Sequence, residues 1–355
     1  MTMPTANIQK FAPGAELGQY AGAETVLRFG SPEAELEALR NGCGVFDLSW
    51  RGKLVISGED RVRWLNGMVS NNTRDLPQDC GNFNFVLNAQ GRIQAELTAF
   101  QRGDFYLLET EAAQIATLRE FFERYIIMDD VEIGDISARL ISIGVAGPQV
   151  VEVLRRAGMM PGAAQPGQLL DGSWSGMGYT LVRDPVAARD WYELWLSAEN
   201  AEAFWQALVQ AGAAPVGAAA LEWQRILLGL PRIGFDIGAK VLPQETGQEY
   251  ALHHSKGCYI GQEIVERIRA RGQVHRKLAG LIFDGAPAAP GSKVMVGDTE
   301  LGETASSAAV VVDGLGHNVA LAYLRPQTLP AGSTDNLAVT VDGSTARVTA
   351  LPFRF

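Results

Sequence analysis

The chain has 355 residues, 47% of them hydrophobic and 20% charged, and 30 basic against 40 acidic side chains leave a net charge of −10 with a pI near 5.0. That length calls for two or three domains with well-buried interiors. An acidic body repels phosphate backbones, which argues against direct, sequence-independent binding of nucleic acid.

The N-terminal stretch MTMPTANIQKFAPGAELGQY has no apolar run long enough for a signal-peptide core, and no run anywhere is long enough for a membrane span. The first clear element is a helix over 32–41, with Ser31 as N-cap, Pro32 at its first position and Gly42 just past its end. Val45, Phe46 and Leu48 then mark a short strand entering the core. From Lys53 the pattern runs strand (53–57), helix (59–68), strands (83–88 and 92–100, joined by Ala89-Gln90-Gly91), strand (104–109) and amphipathic helix (111–126).

A similar order follows. Residues 138–147 read as a strand, Pro148 opens a helix, 178–184 and 190–197 are strands, and a helix from Glu199 ends at Gly212. Two βαββα-type runs in succession predict two related, ferredoxin-like α+β units. The Gly- and Pro-rich segment 161–176 reads as a surface loop. A helix over 216–229, an irregular stretch to about 255 and a charged helix near 262–271 precede a β-rich tail, 276–355, patterned as a small barrel. The domain boundary falls near Gly272–Arg276.

Cys43, Cys80 and Cys258 form no CxxC pair and are odd in number, which argues against a disulfide framework and for a reducing compartment, here the cytoplasm. No GxxxxGK[ST] loop is present, and Gly172, Gly176 and Gly178 do not form a dinucleotide fingerprint.

The densest unusual segment is His253-His254-Ser255-Lys256-Gly257-Cys258-Tyr259-Ile260-Gly261-Gln262-Glu263. A cation two residues away and a helix starting near Gly261 both favour thiolate over thiol, making Cys258 a candidate nucleophile; the alternative is a small buried hydrophobe in a turn. His253 and His254 are adjacent, so they point different ways, and no second cysteine lies nearby, which favours a structural or exposed role over zinc. Glu263–Arg267 is an i,i+4 pair on a solvated helix face. Asn88-Ala89-Gln90-Gly91 reads as a hairpin turn. Glu193 is different, because alternation puts it on one strand face with Trp191 and Trp195. A carboxylate among indoles is costly to bury unless something pairs with it. A ligand with two adjacent N–H donors would do so, and so would Arg183 or Arg189.

The run Lys256-Gly257-Cys258-Tyr259-Ile260-Gly261-Gln262-Glu263 resembles the KGCYxGQE signature of the YgfZ branch of the glycine-cleavage T-protein (GcvT, aminomethyltransferase-like) superfamily. Aminomethyltransferases carry Asp where this chain has Cys258. The resemblance extends through Gly44–Ser49, Leu87–Gly91, Gly178-Tyr179-Thr180, Leu221–Gly229 and Val274–Leu278. It implies a three-domain α+β cloverleaf: 1–50 with 138–272 as a discontinuous folate-binding domain, 51–137 as a second α+β domain, and 273–355 as a C-terminal β-barrel.

The resemblance also implies tetrahydrofolate as ligand. Glu193 matches a glutamate that pairs with the pterin, Tyr179 a folate-contacting tyrosine and Arg225 an arginine near the folate, and Asn88 is carried over as a binding residue. The stretch between Tyr179 and Glu193 is longer here than in aminomethyltransferases. Cys258, with Lys256, Tyr259 and Gln262, is the implied functional group. The branch serves assembly or repair of iron–sulfur enzymes, including some that modify tRNA, and such client enzymes are the implied partners. Aminomethyltransferases have an Asp-Asp pair where this chain has Ala95-Glu96. With the first carboxylate replaced by Ala95, and Glu96 aimed at the opposite strand face, aminomethyl transfer is expected to be lost. A folate-dependent aminomethyltransferase or demethylase using Glu96, and a folate-independent scaffold, are the alternatives.

Overall fold

The computed structural model describes residues 12, 14–186, 190–272, 274–325 and 336–355. The N-terminal residues 1–11 and 13, Arg189, Gln273 at the expected domain boundary, and 326–335 of the expected barrel lie outside the described residues. The fold class is α+β, as expected, with two antiparallel-rich sheets and a closed six-stranded barrel. Chain packing divides it into two compact units. One comprises Met1–Val86, Ala95–Leu221 and Ser255–Tyr259; the other Leu87–Gln94, Glu222–His254 and Ile260–Phe355.

The first unit holds the six-stranded sheet, whose strand order is Leu169–Trp174, Met177–Arg183, Trp191–Leu196, Ile141–Ala146, Gly44–Asp47 and Ala214–Pro215. Its neighbour is the sheet ordered Cys80–Leu87, Ile93–Gln101, Tyr106–Glu111, Arg51–Ser57, Glu132–Asp135. One face of the six-stranded sheet (Ile143, Val145, Leu181, Tyr192, Leu194) is buried with Val153, Leu154, Phe204 and Leu208 from the helices Val150–Arg156 and Ala201–Gln210. The outer face of the five-stranded sheet meets the helix Ile115–Glu123, because Gly52 has no side chain and Ile115 fills the space. The inner faces of both sheets turn toward each other, with Phe100 edge-on to Trp195 at 5.2 Å between ring centres.

The helix expected over 32–41 is present as Pro32–Asn41, its Ser31 Oγ accepting from the Ala34 amide at 3.2 Å. The helix expected over 111–126 is shorter: Glu111 still belongs to a strand, a 3₁₀ turn follows, and the α-helix covers Ile115–Glu123. Segment 161–176 is not wholly loop, since Leu169–Trp174 pairs as an edge strand with Met177–Arg183. A hairpin of Glu16–Tyr20 with Ala23–Arg28 had no counterpart in the sequence reading. In the second unit, the barrel is ordered Lys277–Phe283, Leu315–Leu324, Thr299–Val312, Lys293–Val296, Ala338–Val341, Ser344–Thr349, closing around Leu281, Val294, Ala320, Val339 and Val348. No helix among the described residues is long and apolar enough to cross a membrane.

Candidate functional site

The Lys256–Gln262 segment is anchored by its lysine. Lys256 is buried, and its ammonium donates to the carbonyl oxygens of Val69 at 2.7 Å and Asn71 at 2.5 Å, with the Tyr259 ring centre 5.1 Å away. Burial pushes its pKa down to about 7, and Arg74 adds to the fall. Cys258 is exposed, so it is not the packed hydrophobe that was the alternative. The Lys256 ammonium spends hydrogen bonds on two backbone carbonyls, so the lysine also ties the thiol-bearing segment down. Gly261, at φ +83°, precedes the helix Gln262–Arg271, and Gln262 is its first residue. His254 pairs with Glu266 at 3.3 Å, and Glu266 with Arg269 at 3.0 Å. Among the described residues no group of three or more His, Cys, Asp or Glu is placed to hold a metal.

Glu193 sits in the layer between the two sheets, only 8% exposed. Its two oxygens accept from the flanking indoles, Trp191 Nε1 at 3.4 Å and Trp195 Nε1 at 3.0 Å. Arg183 donates instead to the Ala164 carbonyl, and Arg189 is outside the described residues. Gly144 opposes Glu193 on the next strand, and its missing Cβ leaves room for the Phe46 ring, which packs 4.5 Å from that of Trp191.

The facing sheet supplies the charges. Cross-strand pairing of Lys53 with Glu109, Arg51 with Glu111 and Thr98 with Glu109 puts Arg51, Lys53, Glu96, Thr98, Glu109 and Glu111 on one face. Lys53, with no exposed surface, bonds Glu109 at 3.1 Å and Ser142 Oγ at 2.6 Å, and its ammonium lies 4.8 Å from the Trp195 ring centre. Arg51 reaches the other Glu109 oxygen at 3.3 Å. Burial works against ionisation of Glu109, but Lys53 and Arg51 outweigh it and hold that carboxyl well below the usual range. Glu193 moves the other way: burial first, then the Glu109 charge, raises its pKa, while Arg51 and Lys53 oppose. Arg51 also feels Glu193, Glu111 and Glu96, so four carboxyl groups share two cations. Trp195 further lines a cleft of about 490 Å³ with Val55, Phe105, Leu107, Ile136 and Thr180.

Lys53, Arg51 and Glu109 were missed by the sequence reading. The available signal was the one that marked Glu193: a charge at alternate positions of an otherwise apolar strand.

Three expected binding residues have local roles within their own units. Thr180 pairs with Trp195 and Val182 with Glu193, so Tyr179 points to the opposite face of the sheet, where it packs edge-on to Phe204 at 5.5 Å. The structure therefore does not bring Tyr179 and Glu193 together. Asn88 organises the hairpin turn, its Oδ1 accepting from the amides of Gln90 and Arg92, each at 3.0 Å. Arg225, on the helix Ala218–Leu227, is engaged within its own unit by Glu222, Asp236 and Ser306.

The pairing register also corrects the reading of Ala95-Glu96. Ala95 is buried on the outer face of its sheet, in phase with Ala99, Leu108 and Leu54. Glu96, in phase with Thr98 and Glu109, is the residue on the inner face that carries the charges. The inner, charge-bearing face therefore keeps a carboxylate, at Glu96.

Against known proteins, a family model described as "GCVT N-terminal domain" matches residues 9–256. The chain is 29% identical over 321 residues to an aminomethyltransferase of Rubrobacter xylanophilus, covering 89% of this chain and 85% of the relative. It is 26% identical over 354 residues to an aminomethyltransferase of Moorella thermoacetica, covering 96% and 94%. The crystal structure of glycine cleavage system aminomethyltransferase T from Bartonella henselae aligns with a TM-score of 0.86 at 19% identity, covering 98% of this chain and 96% of that one. At that identity the likeness is one of fold.

Proposed function

The chain belongs to the GCVT N-terminal domain family, and on that premise we propose that it binds a reduced folate of the tetrahydrofolate type through Glu193. The observation that carries the reading is the buried carboxyl of Glu193, held by two indole N–H groups beside a layer with more carboxylates than cations. The fit is one of donor chemistry. Each Glu193 oxygen has a further lone pair, and the pterin 2-amino group and N3–H form a two-donor edge for an ionised carboxylate. Bound tetrahydrofolate supplies a one-carbon acceptor at its N5/N10 edge. The chain's own contribution is to orient the pterin with Glu193, to keep that carboxylate rigid between Trp191 and Trp195, and to exclude water from the layer. Tyr179 and Arg225 have protein partners in the structure and are left out of this binding set; Asn88 serves its turn.

The KGCYIGQE segment supports placing the chain in the YgfZ branch, with service to iron–sulfur enzymes, tRNA-modifying ones included, as its role. The exposed Cys258 thiol, presented beside the anchored Lys256, is the group available to such clients. Titrating tetrahydrofolate into the protein while following indole emission tests the ligand directly, since two tryptophans hold Glu193. Saturable quenching is expected, and no binding would leave a folate-independent scaffold. Cys258→Ala is expected to fold like wild type yet fail to restore iron–sulfur enzyme activity in a deletion strain. Full rescue would remove the thiol from function.

One observation favours a second reading, folate-dependent one-carbon transfer: Glu96 lies on the charged inner face, where a general base is needed. Supplied with tetrahydrofolate and an aminomethyl donor, such an enzyme would form methylenetetrahydrofolate and release ammonia. Turnover that disappears in Glu96→Gln would establish this reading over pure binding.

A further inference from the structure

Binding a two-donor ligand explains Glu193 but leaves Glu109 without a role. A second carboxyl in the same layer is an expensive neighbour, since two like charges in a buried layer cannot both ionise freely. The surroundings differ sharply between the two. Glu109 receives both cations, Lys53 at 3.1 Å and Arg51 at 3.3 Å, whereas Glu193 accepts from neutral indole N–H groups. The carboxyls of Glu109 and Glu193 are within hydrogen-bonding reach of each other.

Among the described residues, the strands beside Glu193 add no charged side chain at its own position. The neighbouring strands offer Ser142, Gly144, Thr180, Val182 and Phe46 on this face. Glu96 and Glu111 act through Arg51, which they share with Glu109 and Glu193.

We propose that Glu109 is a positioning residue for Glu193: the two carboxyls share one proton across the sheets, and capture of a ligand offering two N–H donors releases it. In the free protein, protonated Glu193 donates to ionised Glu109. In the complex, Glu193 is a carboxylate that accepts both ligand donors, its proton passes to solvent, and Glu109 stays paired with Lys53 and Arg51. The folate reading supplies the ligand; the shared proton stands on the pair itself.

The sign of the pH effect follows. With its pKa raised to about 7 in the folded state, Glu193 contributes stability that is present below the ordinary carboxylate range and is lost as pH rises through about 7. Affinity for the two-donor ligand moves oppositely, rising up to about tenfold per pH unit below that value and levelling above it.

Two measurements test this. In the ligand-free protein, urea unfolding between about pH 5 and pH 8 compares wild type with Glu193→Gln, whose amide keeps the shape and stays neutral. Wild type is expected to lose stability relative to the variant across that interval, and parallel profiles would overturn the proposal. Glu109→Gln should flatten the wild-type profile if it folds; because it leaves Lys53 without its carboxylate, Glu193→Gln carries the comparison. With tetrahydrofolate, calorimetry at about pH 6 in two buffers of different ionisation enthalpy should show release of close to one proton per ligand bound. Binding with no proton released would overturn the proposal. If tetrahydrofolate does not bind wild type at all, the folate reading fails, and the urea comparison alone decides the shared proton.

Discussion

Lys53→Met is expected to cost about 3–5 kcal/mol of stability, the range for removing one partner of a buried ion pair. The side chain has no exposed surface, and its ammonium bridges both sheets of the first unit by bonding Glu109 and Ser142 beneath the Trp195 ring. Methionine fills the same volume, so little of the loss is cavity. What remains is Glu109 in the same buried layer, with Arg51 the one cation at bonding distance among the described residues and a second carboxyl within hydrogen-bonding reach. Urea unfolding by circular dichroism measures the loss. A double variant, Lys53→Met with Glu109→Gln, should recover much of it, because the stranded charge is gone. A single-variant loss below about 1 kcal/mol would show that the layer is wet enough to solvate Glu109 without the lysine.

The same layer shows how far the sequence could be read. Strand alternation was legible, and Glu193 stood out because two tryptophans share its face. Lys53 and Glu109 did not, because a charge at the start of KLVIS or at the end of DFYLLE is equally the solvated face of a two-faced sheet. Only the stacking of a second sheet buries them, and that is tertiary information. Register decided the two corrections that matter most. Tyr179 and Glu193 lie on adjacent antiparallel strands, and sequence distance cannot say whether they share a face. The pairing of Thr180 with Trp195 says they do not. Likewise alternation established that Ala95 and Glu96 face opposite ways, but not which of them faces the charges; the pairing of Thr98 with Glu109 assigns that face to Glu96. The edge strand Leu169–Trp174 was hidden by its own composition, since Asp171, Gly172 and Ser173 read as turn residues although they pair along the sheet edge.

Glu193→Gln should abolish most tetrahydrofolate affinity while leaving the fold intact. The ionised carboxylate offers the pterin edge two acceptors, each charge-assisted bond contributing about 1.5–3 kcal/mol. Glutamine keeps one acceptor and turns an NH₂ group toward a ligand N–H, so one bond is lost and a donor faces a donor. A loss of about 3–6 kcal/mol follows, on the order of a hundred- to ten-thousand-fold in Kd. The variant should fold because the amide oxygen still accepts from one indole and its NH₂ can donate to Glu109, as the protonated acid does. Glu96→Gln separates binding from chemistry: Glu96 acts on the layer through the charge of Arg51 and is not one of the acceptors assigned to the pterin edge, so its removal should change affinity far less. Fluorescence titration of both variants at a pH above about 7, where wild-type Glu193 is ionised, gives the cleanest contrast. A Glu193→Gln protein that binds within about threefold of wild type would mean that the pterin is held by other groups. The indole-flanked carboxyl would then be part of the packing between the sheets, with the excess of carboxylates balanced by protonation alone.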